Sequence, residues 1–398
     1  MSRYINIKDS VGIRCALVTI NPFPIGNVAT MRYSSYMQAL AGVVSLAKVY
    51  IFSPSRTAKP NKSISGVHNG VHYEYTSGKI YLENRNFFSM AYFLIVGLLR
   101  CWRSINNDGI NALILYGENP WLVNAFFKIL CSVKRIGFYA DRSEYPDVAV
   151  RKSVIRQWWY RYKIKWFDGM ILMTDELKCF YTKWMKKEAK AFLLPMTIDC
   201  TRFDKVKSSK DLKDKFIAVV FGTHNRDGLL ESLKAYKRYR QLGGTYSLHL
   251  IGNYMGMPNK EDLDVLTQDP AVSDYIQICG LIQNDQIPQK LTEASCLMTT
   301  PNSYPSGGFP TKVGEYMLSG VPVVATSAGV LLKYIEPEKE MLFSDPGDIQ
   351  AIAENLLRIE KDPLLGASIA EQARNKVVNV FNADVYLNKL CDFLSGRL

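Results

Sequence analysis

No histidine–cysteine cluster, no long apolar run and no familiar nucleotide fingerprint marks this sequence, and each gap narrows what the chain can be. Its 398 residues hold four histidines (68, 72, 224 and 249) and eight cysteines (15, 101, 131, 179, 200, 279, 296 and 391). The cysteines show neither CxxC nor His–Cys spacing, so buried, reduced thiols in a cytosolic protein are expected, not a metal site or a disulfide framework. The longest apolar run, Met90 to Leu99, is about half of what a membrane-spanning helix needs. The first, Cys15 to Ile20, is too short for a secretory leader and lacks a small-residue cleavage site. After the first strand there is neither GxGxxG nor GxxxxGK[ST], so that loop alone does not announce a nucleotide. RNP, KH, helix-turn-helix and zinc-finger patterns are also missing, and nucleic acid is not an expected partner.

What the chain does hold is a globular composition, with 47% hydrophobic and 22% charged residues. Its length predicts two domains of about 200 residues each. Charge sits in one half: residues 1–200 carry 27 Lys and Arg against 13 Asp and Glu, leaving 22 against 24 for the rest. A basic first half joined to a near-neutral second implies that only the first meets something anionic.

The first half alternates between periodicities. Arg14–Ile20 reads as a strand, Pro22–Asn27 as a tight loop, and Val28–Leu40 as a helix with Met31, Tyr36, Met37 and Leu40 at core spacing. Strands are expected at Lys48–Phe52, Leu113–Tyr116, Arg135–Ala140, Asp168–Met173 and Ala191–Leu194. Helices fall at Asn86–Ile105 and Trp121–Cys131, and Ser53–Tyr81 is polar and hairpin-like. This alternation predicts a doubly wound parallel sheet, whose ligands sit at the carboxyl ends of the strands. Asp141 stands just past one such end, with Glu144 close behind; a loop former and a functional carboxylate are both open readings. Glu118, after the preceding strand, is a weaker candidate. Arg151–Trp166 carries six basic residues, no acid and a run of Trp and Tyr. That mixture suits a helix lying on an anionic membrane, with the apolar Phe87–Leu99 helix beside it; a solvated charged face is the bland alternative.

In the second half, Asp204–Lys215 reads as a linker and Phe216–Phe221 as a strand. A loop, Gly222 to Gly228, leads into a helix with Leu229, Leu230, Leu233 and Tyr236 inside. Strands follow at Ser247–Gly252, Ile276–Gly280 and Leu297–Thr300, and helices fill Ile349–Leu394. The stretch that organises this half is Pro301–Gly329. Tyr304–Gly308 cannot hold regular structure. Thr311 is placed to cap a short helix through Leu318, Gly320 to end it, and Val321–Ala325 to form a buried strand. A glycine-rich loop opening onto a helix N-terminus describes a phosphate or sugar-hydroxyl site.

These residues resemble the donor-binding signature of retaining, nucleotide-sugar-dependent glycosyltransferases of the GT-B fold, family 4. That signature has two glutamates around a Gly-Phe pair, followed by a Gly-x-Pro-Val-Val run. Gly308-Phe309, Glu315, Gly320 to Val324 and Ala328-Gly329 fall on it, while Gly307 stands where the first glutamate belongs. The wording from Phe309 to Met317 is similar to a subgroup common in bacterial polysaccharide assembly.

The resemblance implies an α/β, GT-B architecture: two Rossmann-like doubly wound parallel-sheet domains facing a central cleft. Residues 1–202 would bind the acceptor and 203–398 the nucleotide-sugar donor. It gives Glu315 the ribose hydroxyls, and gives the sugar and phosphates the backbone of Gly307, Gly308, Phe309, Thr311 and Lys312. The family's loop cations are replaced here by Thr223 and Asp227, so Lys312 and Arg226, beside Gly222, stand in for them. Asp141, with Glu144 second, would sit near the reacting centre, and Gly26 and Asn27 would face the cleft. No metal and no cofactor beyond the donor are expected. The acceptor would be a saccharide, free or lipid-linked. The chain would be cytoplasmic, resting on the inner face of the cell membrane through its basic first domain. Two rivals stay open: a sugar-nucleotide 2-epimerase on the same fold, which needs histidines in the cleft, and a degenerate binder of glycan or nucleic acid.

Overall fold

The computed structural model describes residues 12–83, 86–146, 154–204, 206, 215–222, 227–303 and 307–397. The chain divides into two compact units, Met1–Asp199 with Asn382–Leu398, and Cys200–Phe381.

The first unit is built on β1 (Arg14–Thr19), β2 (Leu46–Ile51), β3 (Ser65–His68), β4 (Val71–Tyr75), β5 (Ala112–Tyr116), β6 (Gly137–Arg142), β7 (Gly169–Leu172) and β8 (Lys190–Leu193). They pair in the order β3-β4-β2-β1-β5-β6-β7-β8. Every pairing is parallel except β3 with β4, which turn back on each other through Asn69 and Gly70, both at positive φ. The central strands are apolar along their length, as strands covered on both faces must be: β5, Ala-Leu-Ile-Leu-Tyr, is buried throughout.

Among the described residues, five helices connect these strands: α1 (Val28–Ala41), α2 (Phe87–Asn107), α3 (Trp121–Lys134), α4 (Val154–Ile164) and α5 (Asp175–Thr182). The β1–α1–β2 connection runs one way along the sheet, whereas those through α2, α3 and α4 run the other way. Right-handed crossovers therefore put α1 on one face and α2, α3 and α4 on the opposite one. On its face α1 buries Tyr33, Tyr36, Met37 and Leu40 against Leu17, Val49 and Ile114.

The second unit carries β9 (Phe216–Phe221), β10 (Ser247–Gly252), β11 (Ile276–Gly280), β12 (Cys296–Thr299), β13 (Val323–Thr326) and β14 (Leu342–Ser344). These are all parallel, in the order β11-β10-β9-β12-β13-β14. Helices α6 (Leu229–Gln241), α7 (Lys260–Thr267), α8 (Ile287–Glu293), α9 (Thr311–Leu318), α10 (Leu331–Tyr334), α11 (Ile349–Lys361) and α12 (Pro363–Lys376) complete it.

Two expectations need correcting. The last helix, α13 (Leu387–Leu394), belongs to the first unit, not the second. Its Leu387, Leu390, Cys391 and Leu394 fall three or four apart and make an apolar face. The Phe393 ring lies 5.0 Å from Tyr139 and 5.3 Å from Phe192, and Tyr139 donates to the Leu394 carbonyl at 3.0 Å. Thr311, expected as a cap, is instead the first residue of α9, and Pro310 holds the cap position without a side-chain bond. Proline disfavours helical geometry in the residue before it, and Pro310 itself is extended, so the helix starts only after it. The expected linker, Asp204–Lys215, lies mostly outside the described residues.

Candidate functional site

In an open parallel sheet, a crevice forms where the strand order reverses, because the two loops leaving that point run to opposite faces. In the second unit this point lies between β9 and β12. The two loops leaving it are Gly222–Gly228 and Thr300–Pro310, the segments the sequence singles out. They are locked together at their roots. Thr300 Oγ1 donates to the Gly228 carbonyl at 2.8 Å and lies 2.7 Å from Ser232 Oγ. Gly228 has φ 72°, and a Cβ there would stand 1.9 Å from the Thr300 carbonyl oxygen, so only glycine fits.

Helix α9 opens on this crevice and presents two charged side chains one turn apart. Lys312 Nζ lies 2.7 Å from Asp227 Oδ1 and 3.2 Å from the Val220 carbonyl. The other oxygen of Asp227 accepts the Gly222 N–H at 2.6 Å. Gly222, expected at the donor, thus has its N–H engaged by Asp227. Glu315, 7% exposed, is ion-paired with Arg202, whose other nitrogen donates to Asn284 Oδ1 at 3.1 Å. Tyr316, pushed well up in pKa by burial, stays protonated; its Oη accepts the Val220 N–H at 2.7 Å and pins α9 to the end of β9.

Gly307, Gly308 and Phe309 are buried at the mouth of α9. The Phe309 ring packs 5.2 Å from Phe381 and 5.9 Å from Tyr334, so what it offers a ligand is its backbone. Arg226 and Thr223 lie outside the described residues.

In the first unit the strand order reverses between β1 and β5. Gly26 and Asn27 lie in the loop after β1, and both have local work. A Cβ on Gly26 would stand 2.5 Å from the Pro22 carbonyl, and Asn27 caps α1 by accepting the Thr30 N–H at 3.2 Å. The expectation that Asp141 stands past a strand end is corrected. β6 runs two residues beyond Ala140, so Asp141 is a paired strand residue opposite Tyr116 and Ile171. It is fully buried, with one oxygen 3.2 Å from Arg32 Nη2 and the other accepting from Tyr36 Oη at 2.8 Å. Arg32 in turn donates to the carbonyls of Leu194 and Pro195, each at 3.2 Å. Burial opposes the Arg32 charge, but Asp141 together with the Tyr116 and Tyr36 phenols outweighs it and raises its pKa. Asp141 is thus a positioning residue that clamps α1 and the end of β8 to the sheet. Glu144, past the strand end, is exposed. Glu118 is bound by Arg142 and Lys163, each at 2.9 Å.

Known proteins bear on this geometry. Residues 201–376 match the model of the family described as glycosyl transferases group 1. Sucrose-phosphate synthase of Thermosynechococcus elongatus has a TM-score of 0.72 at 16% identity, covering 95% of this chain and 98% of that one. Anabaena HepE, solved in complex with UDP-glucose, has a TM-score of 0.68 at 15% identity, covering 96% and 100%. The fold is GT-B. Among curated relatives, the amylovoran biosynthesis glycosyltransferase AmsK of Erwinia amylovora is 26% identical over 172 residues, 42% of this chain and 42% of that one. The chain spans about half the length, or less, of the curated relatives it matches.

Within this GT-B chain, Arg32 and Arg202 escape sequence reading, and Tyr36 and Asp227 are read without the partners they have here. Arg32 and Tyr36 are one turn apart on α1, a spacing that puts a charge on the core face and so signals a buried partner. Asp227 was read only as a missing cation. Of the histidines, His68 and His72 sit in the edge hairpin of the first sheet, and His249 stacks on Phe216 at 3.9 Å. His224 lies outside the described residues.

Proposed function

We propose that the chain is a retaining glycosyltransferase of family 4 type that moves a sugar from a nucleotide-sugar donor to a saccharide acceptor. The observation that carries this reading is α9, which sets Lys312 and Glu315 one turn apart where the loops of the second sheet diverge. The donor diphosphate meets the N-terminal end of α9 and Lys312, where a helix dipole and an ammonium together stabilise the charge that develops on the leaving group. Glu315 takes the ribose hydroxyls, exchanging Arg202 for them. The backbone of Gly307, Gly308 and Phe309 follows the sugar, and the space left by the absent first glutamate tunes which sugar fits. The bond from the anomeric carbon to the phosphate oxygen breaks, an acceptor oxygen forms the new bond, and its proton leaves with the diphosphate. Lys312 carries the phosphate charge, so the chemistry runs without a metal.

The first unit holds the acceptor, with Glu144 the exposed carboxylate nearest the end of β6. AmsK is named for amylovoran biosynthesis, and the Phe309–Met317 wording is of the polysaccharide-assembly kind. Both favour an acceptor in glycan assembly, and the basic, aromatic first unit favours one carried on a lipid. The eight free thiols favour a reducing, cytoplasmic compartment.

The test is a thermal-shift panel of UDP-, GDP-, dTDP- and CMP-sugars on the wild type, Glu315→Ala and Lys312→Met, with and without EDTA. At a donor concentration about 100-fold above Kd, binding stabilises the native state by roughly 2.7 kcal/mol. One nucleotide should raise Tm, both substitutions should remove the rise, and EDTA should leave it unchanged. No shift with any donor would overturn the reading and leave a degenerate binder.

A further inference from the structure

The face of the first sheet opposite α1 bears a surface that glycosyl transfer does not use. Helix α2 meets the sheet through Gly97, Cys101 and Ile105, its only buried residues. Its lower end is moored there. Ser104 donates to Glu74 at 3.0 Å, and Lys48 reaches both Glu74, at 2.9 Å, and the helix-ending Asp108, at 2.7 Å. Away from the sheet, Phe88, Tyr92, Ile95 and Leu99 form an exposed stripe at spacings of four, three and four residues. The helix is long and apolar enough to cross a membrane by length and composition. Moored in this way, it lies flat along the sheet.

Two more helices extend the ledge. Trp102 of α2 and Phe126 of α3 touch at 5.5 Å, and α3 exposes Leu122, Ile129 and Val133. Trp121 of α3 lies 6.2 Å from Trp159 of α4. The inner side of α4 is tied down by Glu118, which accepts from Tyr160 at 2.6 Å and Lys163 at 2.9 Å. That anchor turns Ile155, Trp158 and Tyr162 outward. A folded monomer seldom leaves a contiguous apolar patch of this extent uncovered.

Charge decides what covers it. The three helices, of 21, 14 and 11 residues, contain no Asp or Glu and seven Lys or Arg. Of these, Lys163 is engaged by Glu118. A second copy docking on the same ledge would bring like charges together, which a self-complementary interface disfavours. An anionic bilayer takes the whole set: aliphatic and phenyl groups among the acyl chains, indoles and phenols at the boundary, and Lys and Arg at the headgroups. We infer that the α2–α3–α4 ledge docks the chain, lying flat, on anionic phospholipid membrane. This inference stands on surface chemistry and does not rest on the glycosyltransferase reading.

The experiment is flotation of the full chain with vesicles of phosphatidylcholine alone, or mixed in roughly equal parts with phosphatidylglycerol. The wild type should float with the anionic vesicles, release in high salt, and show tryptophan quenching by brominated acyl chains. Phe88→Ser/Leu122→Ser/Ile155→Ser, at positions 81%, 73% and 72% exposed, should fold normally. That variant should partition at least about tenfold more weakly. Arg100→Gln/Arg103→Gln should lose the preference for anionic lipid, and Leu364→Ser, exposed in the second unit, should float as the wild type does. No flotation at low salt would overturn the inference. So would a triple variant that floats like the wild type, or a lipid-indifferent dimer that the triple variant turns into monomers. The nucleotide-sugar thermal shift of the triple variant should match the wild type, so failure of docking and failure of the donor site can be told apart.

Discussion

Removing Arg32 tests whether Asp141 positions the fold or acts on substrate. In Arg32→Met the Asp141 carboxylate stays fully buried, with Tyr36 as its one remaining hydrogen-bond partner from this cluster. Breaking a buried ion pair from one side costs about 3–5 kcal/mol, because the orphaned charge has left water without compensation. For a unit of this size that is a fall in Tm of roughly 6–20 °C. Asp141→Asn alone should be milder, since Arg32 keeps the carbonyls of Leu194 and Pro195. Combining the two should recover much of the loss, with a coupling energy of roughly 2–3 kcal/mol. The assay is urea unfolding read by hydrogen exchange in peptides from β1, α1 and β6, which keeps the second unit out of the measurement. Additive losses, or a cost for Arg32→Met below about 1 kcal/mol, would refute the clamp. Transfer by the folded double variant separates the two roles. A positioning residue leaves kcat within about tenfold, whereas loss of a group stabilising the transition state costs roughly 10²–10³-fold.

Three further outcomes follow from individual contacts. Asp227→Asn should release Lys312 to the donor and tighten nucleotide-sugar binding by roughly fivefold, the worth of a partly exposed ion pair, as read by calorimetry; weaker binding would show that Asp227 itself meets the donor. Gly228→Ala should destabilise the second unit by roughly 2–4 kcal/mol, since it meets both a positive φ and the Thr300 carbonyl; an unchanged melt would contradict the close approach. Asp108 gives a pH dependence. Burial raises its pKa, but hydrogen bonds from Lys48 and Tyr50 outweigh that and hold it below the ordinary carboxylate value. Its contribution to stability is therefore present above that ordinary value and is lost as pH falls through the lowered one. Lys48→Met should flatten the acid limb of the stability curve, and an unchanged slope would refute the pairing.

The parallel sheets were legible because a strand covered on both faces must be apolar along its length. Leu113–Tyr116 and Leu297–Thr300 announce themselves as buried strands, with no polar alternation to confuse them with an edge. The edge hairpin was legible only as a polar, hairpin-like stretch from Ser53 to Tyr81, and the structure places its turn at Asn69-Gly70. What failed were ends and long-range returns. The end of β6 was placed at Ala140 because Asp141 and Arg142 are charged. Charge argues for a loop only when no partner is available, and Arg32, more than a hundred residues away, supplies one. The crossing of α13 back to the first unit is likewise invisible in local pattern. Its apolar face says that it must be covered, not by which sheet.

The candidate site was legible where backbone geometry carries it and obscure where charge has moved along the chain. Gly308-Phe309 and the helix from Thr311 are fixed by local rules, and so is the proline that starts it. Asp227, by contrast, reads from sequence as a defect, an acid where the resembling family keeps a cation. Its distance to Lys312 gives it another meaning: the acid holds the ammonium that α9 supplies, the one proposed to meet the donor. The same carboxylate binds the Gly222 N–H, so one side chain ties loop, strand end and helix into a single unit. Such a pair is near neutral until an anion arrives and draws Lys312 away from Asp227. If the donor diphosphate takes Lys312 as proposed, it must draw that ammonium from Asp227, and this competition gives the Asp227→Asn measurement its power to discriminate.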